Sequence, residues 1–391
     1  MLPAQGPPGL YVHVPFCSAI CPYCDFAVTR DAPVRHAIFV ECLLAEISLW
    51  RSGWQGGTFD TVYFGGGTPS LLTPGELANL LKAMRADLPI APGARISLEA
   101  NPEDARPGLL ATLRELGVRT LSLGVQSFDE EALKFLGRRH SPEEARRSVE
   151  AALAVGFDTV SIDLIFGLPE ERQDLAALTR TLEKAVALGP QHVSCYQLTV
   201  HEGTPFGRGV ERGVIRELPE GRQARAYERV VEVLTGAGYT PYEVSNFALA
   251  PEHRSRHNRK YWDQTPYLGL GPSAHSFDGR RRWWNERSLA EWSAKVAGWE
   301  RPIAGTEALS EEDLALERVM LGLRTAAGVD LAGFEERFGV DLVAVNGELV
   351  EELTEAGLVV VEGGRLRPTV KGMAVADGLP AGFRVTREGG G

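Results

Sequence analysis

The chain has 391 residues, 44% of them apolar and 24% charged, which suits two or three domains with a large core and excludes a mostly disordered chain. Its formal net charge of −11 argues against a broad nucleic-acid-binding surface. There is no run of about 18 apolar residues and no basic stretch followed by an apolar one near Met1 to Gly9, so neither a membrane span nor a secretory signal is expected, and the expected compartment is the cytoplasm.

From residue 10 to about 200, short β-branched runs alternate with stretches whose apolar residues recur three and four apart. The first run, Leu10–Phe16, leads into Cys17-Ser-Ala-Ile-Cys21-Pro-Tyr-Cys24. Five cysteines are present, an odd number with three of them clustered, which opposes a disulfide framework. Thiolates at this spacing on one loop suit three corners of a [4Fe–4S] cluster, leaving one iron open. The bland alternative is a zinc knuckle, but zinc wants four ligands and no second ligand pair appears. Cys42 and Cys195 read as core thiols.

The run Thr61–Phe64 ends in Gly65-Gly66-Gly67-Thr68-Pro69, where the backbone is free to approach a ligand; a tight strand-to-helix turn is the alternative. No Lys follows, so this is not a P-loop. After a helical stretch over Pro74–Leu88, the run Arg95–Ala100 carries Glu99 near its end, and Thr120–Val125 is followed by Gln126. Arg138 opens an Arg-Arg-His sequence and reads either as a partner for a ligand carboxylate or as a solvated helix end. Thr159–Phe166 contains Asp163. A carboxylate in an apolar strand is costly unless paired or bound to something. Three polar groups at equivalent depth on successive strands point to one cavity; salt-bridged barrel residues are the alternative. A helix over Asp174–Leu188 and a strand over His192–Val200 complete six βα units. They imply an incomplete TIM-like (β/α)6 barrel, with a doubly wound open sheet as the alternative.

A helix over Glu220–Gly236 and a strand around Tyr239–Val244 come next. Residues 250–290 break the alternation and are rich in Arg, His, Tyr and Trp; from 253 to 287 the net charge is +5. They contain His257-Asn-Arg-Lys-Tyr261-Trp262, and a loop Gly269–Ala274 expected near the same cavity, with His275 as a lesser ligand candidate. Helices are expected over Glu311–Arg324, Leu331–Phe338 and Leu342–Ala356, then a hairpin of Leu358–Glu362 and Gly363–Pro368. This is a winged-helix-like α+β module, whose net charge of −7 over 311–391 opposes DNA binding. The tail Glu388–Gly391 is expected to be disordered. The implied domains are 1–250, a connecting segment 251–305, and 306–391.

C-x3-C-x2-C after the first strand of such a barrel resembles the radical S-adenosylmethionine superfamily, and Tyr23 before the third cysteine fits its preference for an aromatic. In that superfamily the open iron chelates the methionine end of S-adenosylmethionine, and reduction cleaves the cofactor to a 5′-deoxyadenosyl radical. Most of the chain, from Leu10 to about residue 370, is similar to the oxygen-independent coproporphyrinogen III oxidase family. That resemblance places Tyr11, Tyr23, Gly66, Gly67, Thr68, Glu99, Gln126, Arg138 and Asp163 in the cofactor pocket, with Cys17, Cys21 and Cys24 on the cluster. One departure is informative. The oxidases have a fourth cysteine where this chain has Phe26, and C-x3-C-x2-C-D-F resembles instead the heme chaperone branch of the family. His257-Asn-x-x-Tyr261-Trp262 resembles a motif of that branch tied to heme, with His257 as an axial ligand and Tyr261 and Trp262 as flat surfaces for the macrocycle; a polar interdomain segment is the alternative.

The resemblance implies a heme chaperone binding a [4Fe–4S] cluster, S-adenosylmethionine and heme b. It would deliver heme to apo heme-proteins of respiration, with transient contact to membrane proteins among them. No catalytic residue is assigned. The alternatives are a true coproporphyrinogen III oxidase, which position 26 disfavours, and a zinc-stabilised binding module.

Overall fold

The computed structural model describes residues 6–386; the tail Glu388–Gly391 lies outside them. Six parallel strands run in sequence order across the sheet: β1 (Gly9–Val14), β2 (Phe59–Gly66), β3 (Ile90–Ala100), β4 (Val118–Gln126), β5 (Thr159–Phe166) and β6 (His192–Gln197). Each is followed by a helix: α1 (Pro33–Trp50), α2 (Pro74–Asp87), α3 (Pro107–Glu115), α4 (Pro142–Val155), α5 (Leu175–Leu188) and α6 (Glu220–Gly236). The unbroken order excludes the doubly wound alternative, in which the winding reverses at a switch point.

The helices are set by local chemistry. Thr73 and Ser141 form capping boxes with Glu76 and Glu144, each ahead of a proline at the first helical turn. In α2 the stripe Leu77, Leu80, Leu81 and Met84 is buried, about 1.5–3 kcal/mol for each side chain removed from water. β5 is buried almost throughout, as a parallel strand covered on both faces must be.

The barrel does not close on itself. β1 pairs not with β6 but with a later parallel strand, and β6 pairs with an antiparallel one. With β7 (Thr240–Pro241), β8 (Asn246–Ala248), β9 (Tyr267–Leu270), β10 (His275–Phe277), β11 (Arg281–Asn285) and β12 (Ile303–Ala308), the order is β12-β11-β10-β9-β1-β2-β3-β4-β5-β6-β8-β7. The aromatic and basic residues of 250–290 thus include three strands of the barrel's own sheet and a short helix, α7 (Arg256–Trp262). Glu46 of α1 fixes this flank from within. Its buried carboxylate accepts from Gly271 N (2.7 Å), Asn285 Nδ2 (2.7 Å) and Trp292 Nε1 (3.1 Å).

Some boundaries differ from the sequence reading. The first run splits at Pro15, and Phe16–Cys17 pairs instead with Thr29–Arg30. The strand expected around Tyr239–Val244 shrinks to two residues, because Pro241 cannot donate to a ladder and Tyr239 and Tyr242 serve as buried side chains. The helix expected over Leu342–Ala356 is interrupted. Asn346 turns its side chain to Leu342 O and to the backbone of Arg384, so the regular helix, Gly347–Glu355, starts after it. The rest of the C-terminal module is Glu311–Gly322, Leu331–Phe338 and a small antiparallel sheet of Val329–Asp330, Arg365–Pro368 and Val359–Glu362, around a core of its own.

Candidate cofactor site

At the C-terminal ends of β1 to β6 lies a cavity of about 450 Å³. Cys17, Cys21 and Cys24 form part of its wall, and Tyr23, Gly66, Gly67, Thr68, Glu99, Gln126, Arg138 and Asp163 also face it. The structure therefore brings together all but one of the residues assigned to the cluster and its cofactor. The exception is Tyr11, whose hydroxyl lies 3.1 Å from His13 Nδ1 and whose ring stacks on Tyr63, inside the barrel and off the cavity wall. Strand alternation explains it: Tyr11 and His13 point to one side of β1, toward the lumen.

The cysteine loop is held at its base by the Phe16–Cys17 and Thr29–Arg30 pairing and within by Cys24 N to Cys21 O (3.1 Å). Tyr23 anchors it by packing on an apolar cluster that includes Leu168, Leu198 and Phe206. Two thiols carry outer-shell hydrogen bonds. Thr68 Oγ1 donates to Cys17 Sγ (3.7 Å), and Arg138 Nη1 donates to Cys21 Sγ (3.4 Å). Asn101 joins these donors, giving its Nδ2 to Thr68 Oγ1 (2.9 Å) and taking Arg138 Nη2 on Oδ1 (2.6 Å). Arg138 Nη2 also reaches Gly124 O (2.8 Å), so it is a half-buried brace rather than a solvated helix end.

Among the described residues, no three His, Cys, Asp or Glu side chains converge on a point that would hold a single metal ion. The donor set is three thiols spread around one wall, with Cys42 and Cys195 buried elsewhere. Burial pushes the Cys17 thiol up to about 11, and a thiol so placed ionises when a metal takes it. Three soft donors, two of them already oriented by outer-shell groups, fit a cluster with one corner left open.

The glycine loop packs tightly against β1 and the start of the cysteine loop while lining the cavity. Gly66 has φ of 106°, and a Cβ there would fall 2.5 Å from the His13 ring; a Cβ on Gly67 would fall 2.6 Å from Phe16 O. Opposite them, Glu99 accepts from Tyr63 OH (2.7 Å) and Gly66 N (3.2 Å). Burial raises the Glu99 carboxyl to about 7, against the pull of the Tyr63 hydrogen bond. Asp163 is raised by burial to about 6, with Ser194 and Ser122 hydrogen bonds opposing. A bound cation would restore both charges. Gln126 holds φ of 64°, uncommon strain for a side chain of its kind, at the same wall.

The residues assigned to heme go elsewhere. His257 is 2% exposed and enters the N-terminal end of the barrel, with Nδ1 3.0 Å from Thr61 Oγ1 and Nε2 2.9 Å from Tyr261 OH. Both nitrogens are engaged, so in this conformation it offers no free nitrogen to iron. Trp262 faces the C-terminal module, with Arg324 over its ring. His275 does not reach the cavity; it stacks on Trp284 across the β10–β11 pair. The positive segment is largely neutralised: Arg256 and Lys260 meet Asp60, Arg280 meets Glu311, and Arg282 meets Glu317. Sequence reasoning missed Asn101 and Tyr63. Asn101 stands two residues after Glu99, just past the end of the same strand, and that position was the one signal that could have found it.

The descriptions of known families and proteins agree with this geometry. Residues 11–182 match the radical SAM superfamily and residues 309–375 the HemN C-terminal domain. The chain is 39% identical over 383 residues to the heme chaperone HemW of Mycobacterium tuberculosis (strain H37Rv), covering 97% of this chain and 95% of that one. It is 34% identical over 375 residues to HemW of Lactococcus lactis (96% and 97%) and 39% identical over 271 residues to HemW of Escherichia coli (69% and 70%). Among solved structures it resembles the Escherichia coli radical SAM enzyme coproporphyrinogen III oxidase, HemN, with a TM-score of 0.81, 25% identity, and 96% and 89% of the two chains covered. No helix of the described residues is long and apolar enough to cross a membrane. By fold, by both domain matches and by 39% identity over nearly its full length, the chain belongs to the heme chaperone HemW family of radical SAM proteins.

Proposed function

We propose that the chain is a cytoplasmic heme chaperone. It holds a [4Fe–4S] cluster at Cys17, Cys21 and Cys24, binds S-adenosylmethionine in the adjoining cavity, takes up heme b and passes it to apo-proteins of respiration, membrane-bound ones included. The observation that carries the cofactor half is the meeting of three thiols, two carboxylates and one guanidinium around a single cavity. The bound cluster supplies an electron and an open coordination position. The chain's own groups do the rest: Glu99 and Asp163 offer carboxylates to a cation, Arg138 offers a guanidinium to an anion and steadies Cys21, and Gly66 and Gly67 admit the ligand to the backbone.

The names of the relatives support the heme half, as does the rim of the cavity. Phe26 and Ile20 are 62% and 43% exposed there, an apolar surface suited to a macrocycle, and Arg287 Nη2 donates to Asp25 O beside them (2.5 Å). The likeness to the oxidase structure favours a second reading, radical decarboxylation of coproporphyrinogen III; Phe26 in place of a fourth thiol opposes it.

One experiment separates them. The cluster is rebuilt anaerobically and its iron and sulfide are counted. S-adenosylmethionine, a reductant and coproporphyrinogen III are then added beside an active oxidase. We expect no decarboxylated product, and a heme absorption band that saturates on titration. Product formation would overturn the chaperone reading.

A further inference from the structure

The motif around His257 is left without a task by the cavity. Its residues lie at the opposite end of the barrel, yet they are not isolated from it. The His257 ring stacks on Tyr63, with centroids 5.2 Å apart and planes 26° from parallel, and Tyr11 stacks on Tyr63 in turn. Tyr63 then donates its hydroxyl to Glu99 Oε1 at 2.7 Å. Position 9 must be glycine for this packing, because a Cβ there would lie 2.9 Å from His257 Cε1.

We propose that His257 is a positioning residue for the S-adenosylmethionine pocket: clamped by Thr61 and Tyr261, it buttresses the Tyr63 ring, and the Tyr63 hydroxyl fixes the Glu99 carboxylate. It does not act as an iron ligand. The inference rests on reading the cavity as the S-adenosylmethionine pocket. Three features support it. Coordinating iron would require His257 to break two hydrogen bonds and leave the barrel. Burial lowers its pKa to about 3, so the ring is neutral and needs no counter-charge. One oxygen of Glu99 is set by backbone at Gly66, but the other is set only as firmly as the Tyr63 ring is held. Aromatic contact and hydroxyl donation together make a short mechanical link between the two ends of the lumen.

The test uses the full chain with its cluster rebuilt anaerobically, normalised to bound iron, and compares affinity for S-adenosylmethionine with affinity for heme. His257→Leu removes the aromatic ring and both hydrogen bonds; Tyr63→Phe removes only the bond to Glu99. We expect each to weaken S-adenosylmethionine binding about tenfold, and the double variant to be no weaker than the worse single one, because both act through one carboxylate. Heme affinity should stay at the wild-type value. Should His257→Leu fail to fold, Tyr261→Phe loosens the clamp at Nε2 alone and should weaken S-adenosylmethionine binding in the same direction by a smaller factor. Wild-type S-adenosylmethionine affinity in the folded variants, additive effects in the double variant, or loss of heme binding on His257 substitution would each overturn the proposal. A wild-type protein that holds its cluster but binds no S-adenosylmethionine would instead refute the reading of the cavity itself.

Discussion

The two ends of the barrel are built from similar materials and arranged to opposite purposes. At the N-terminal end, Thr61, His257 and Tyr261 satisfy one another, and the space left in the lumen is only about 50 Å³. At the C-terminal end, Glu99, Gln126, Arg138 and Asp163 stand around about 450 Å³, with carboxyl groups that burial holds near neutrality and a strained backbone at Gln126. Polar residues that close on each other stabilise a fold; polar residues held apart around a space await a ligand. The type of residue does not reveal which it is, and the geometry does.

The largest effect that would sharpen this contrast is loss of metal. Cys21→Ala should drop iron and acid-labile sulfide to background after anaerobic reconstitution, while Cys195→Ala, in the core, should leave both intact. Next, Arg138→Met should retain the cluster but lower its reduction potential, since a cationic donor to Cys21 Sγ is removed; an unshifted midpoint in a titration followed by paramagnetic resonance would break the link between brace and cluster. Smaller effects should run in opposite directions at the two ends. Thr61→Val orphans His257 Nδ1 and should cost about 1–3 kcal/mol in urea unfolding. Gln126→Gly relieves a φ of 64° and should be stabilising by up to about 1 kcal/mol, while weakening S-adenosylmethionine binding.

A further effect is one of sign against pH. The folded carboxyl of Glu99 sits at about 7 against an ordinary 4.5, so the folded state holds the proton more tightly. Its contribution is full below pH 4.5 and fades as pH rises through 7. The His257 ring sits at about 3 against 6.5, so the unfolded state takes the proton first. Its contribution is full above pH 6.5 and fades as pH falls toward 3. Glu99→Gln should flatten the alkaline side of the stability profile and His257→Leu the acidic side; the reverse assignment would contradict the burial described.

What was legible in the sequence was local. The six βα units follow from alternation and helical period, and the three thiols from their spacing. Glu99 and Gln126 follow from standing at the ends of strands, and Asp163 from being a carboxylate within an apolar one. What was not legible depends on contacts across the chain. His257 read as a ligand because its partner Thr61 is 196 positions away, and nothing near residue 257 says that it fills a barrel. Asn101 was in plain sight, but its role emerges only when Thr68 and Arg138 are brought to either side of it. The net charge of +5 over 253–287 overstates the free charge there, because Asp60 and Glu317, which neutralise much of it, lie outside it in sequence.

The open seam of the barrel has a consequence for how the chain comes off the ribosome. β1 finds one neighbour early, in β2, but its other edge is covered only by Tyr267–Leu270. A nascent chain that has emerged through β6 thus already displays all three thiols, while one edge of the strand that leads into them is still bare. Metal insertion that waits for a finished site must wait for two-thirds of the protein to be made, and a nascent chain stalled before residue 267 would present reactive sulfur beside an unpaired strand edge, the two features that most invite oxidation and aggregation.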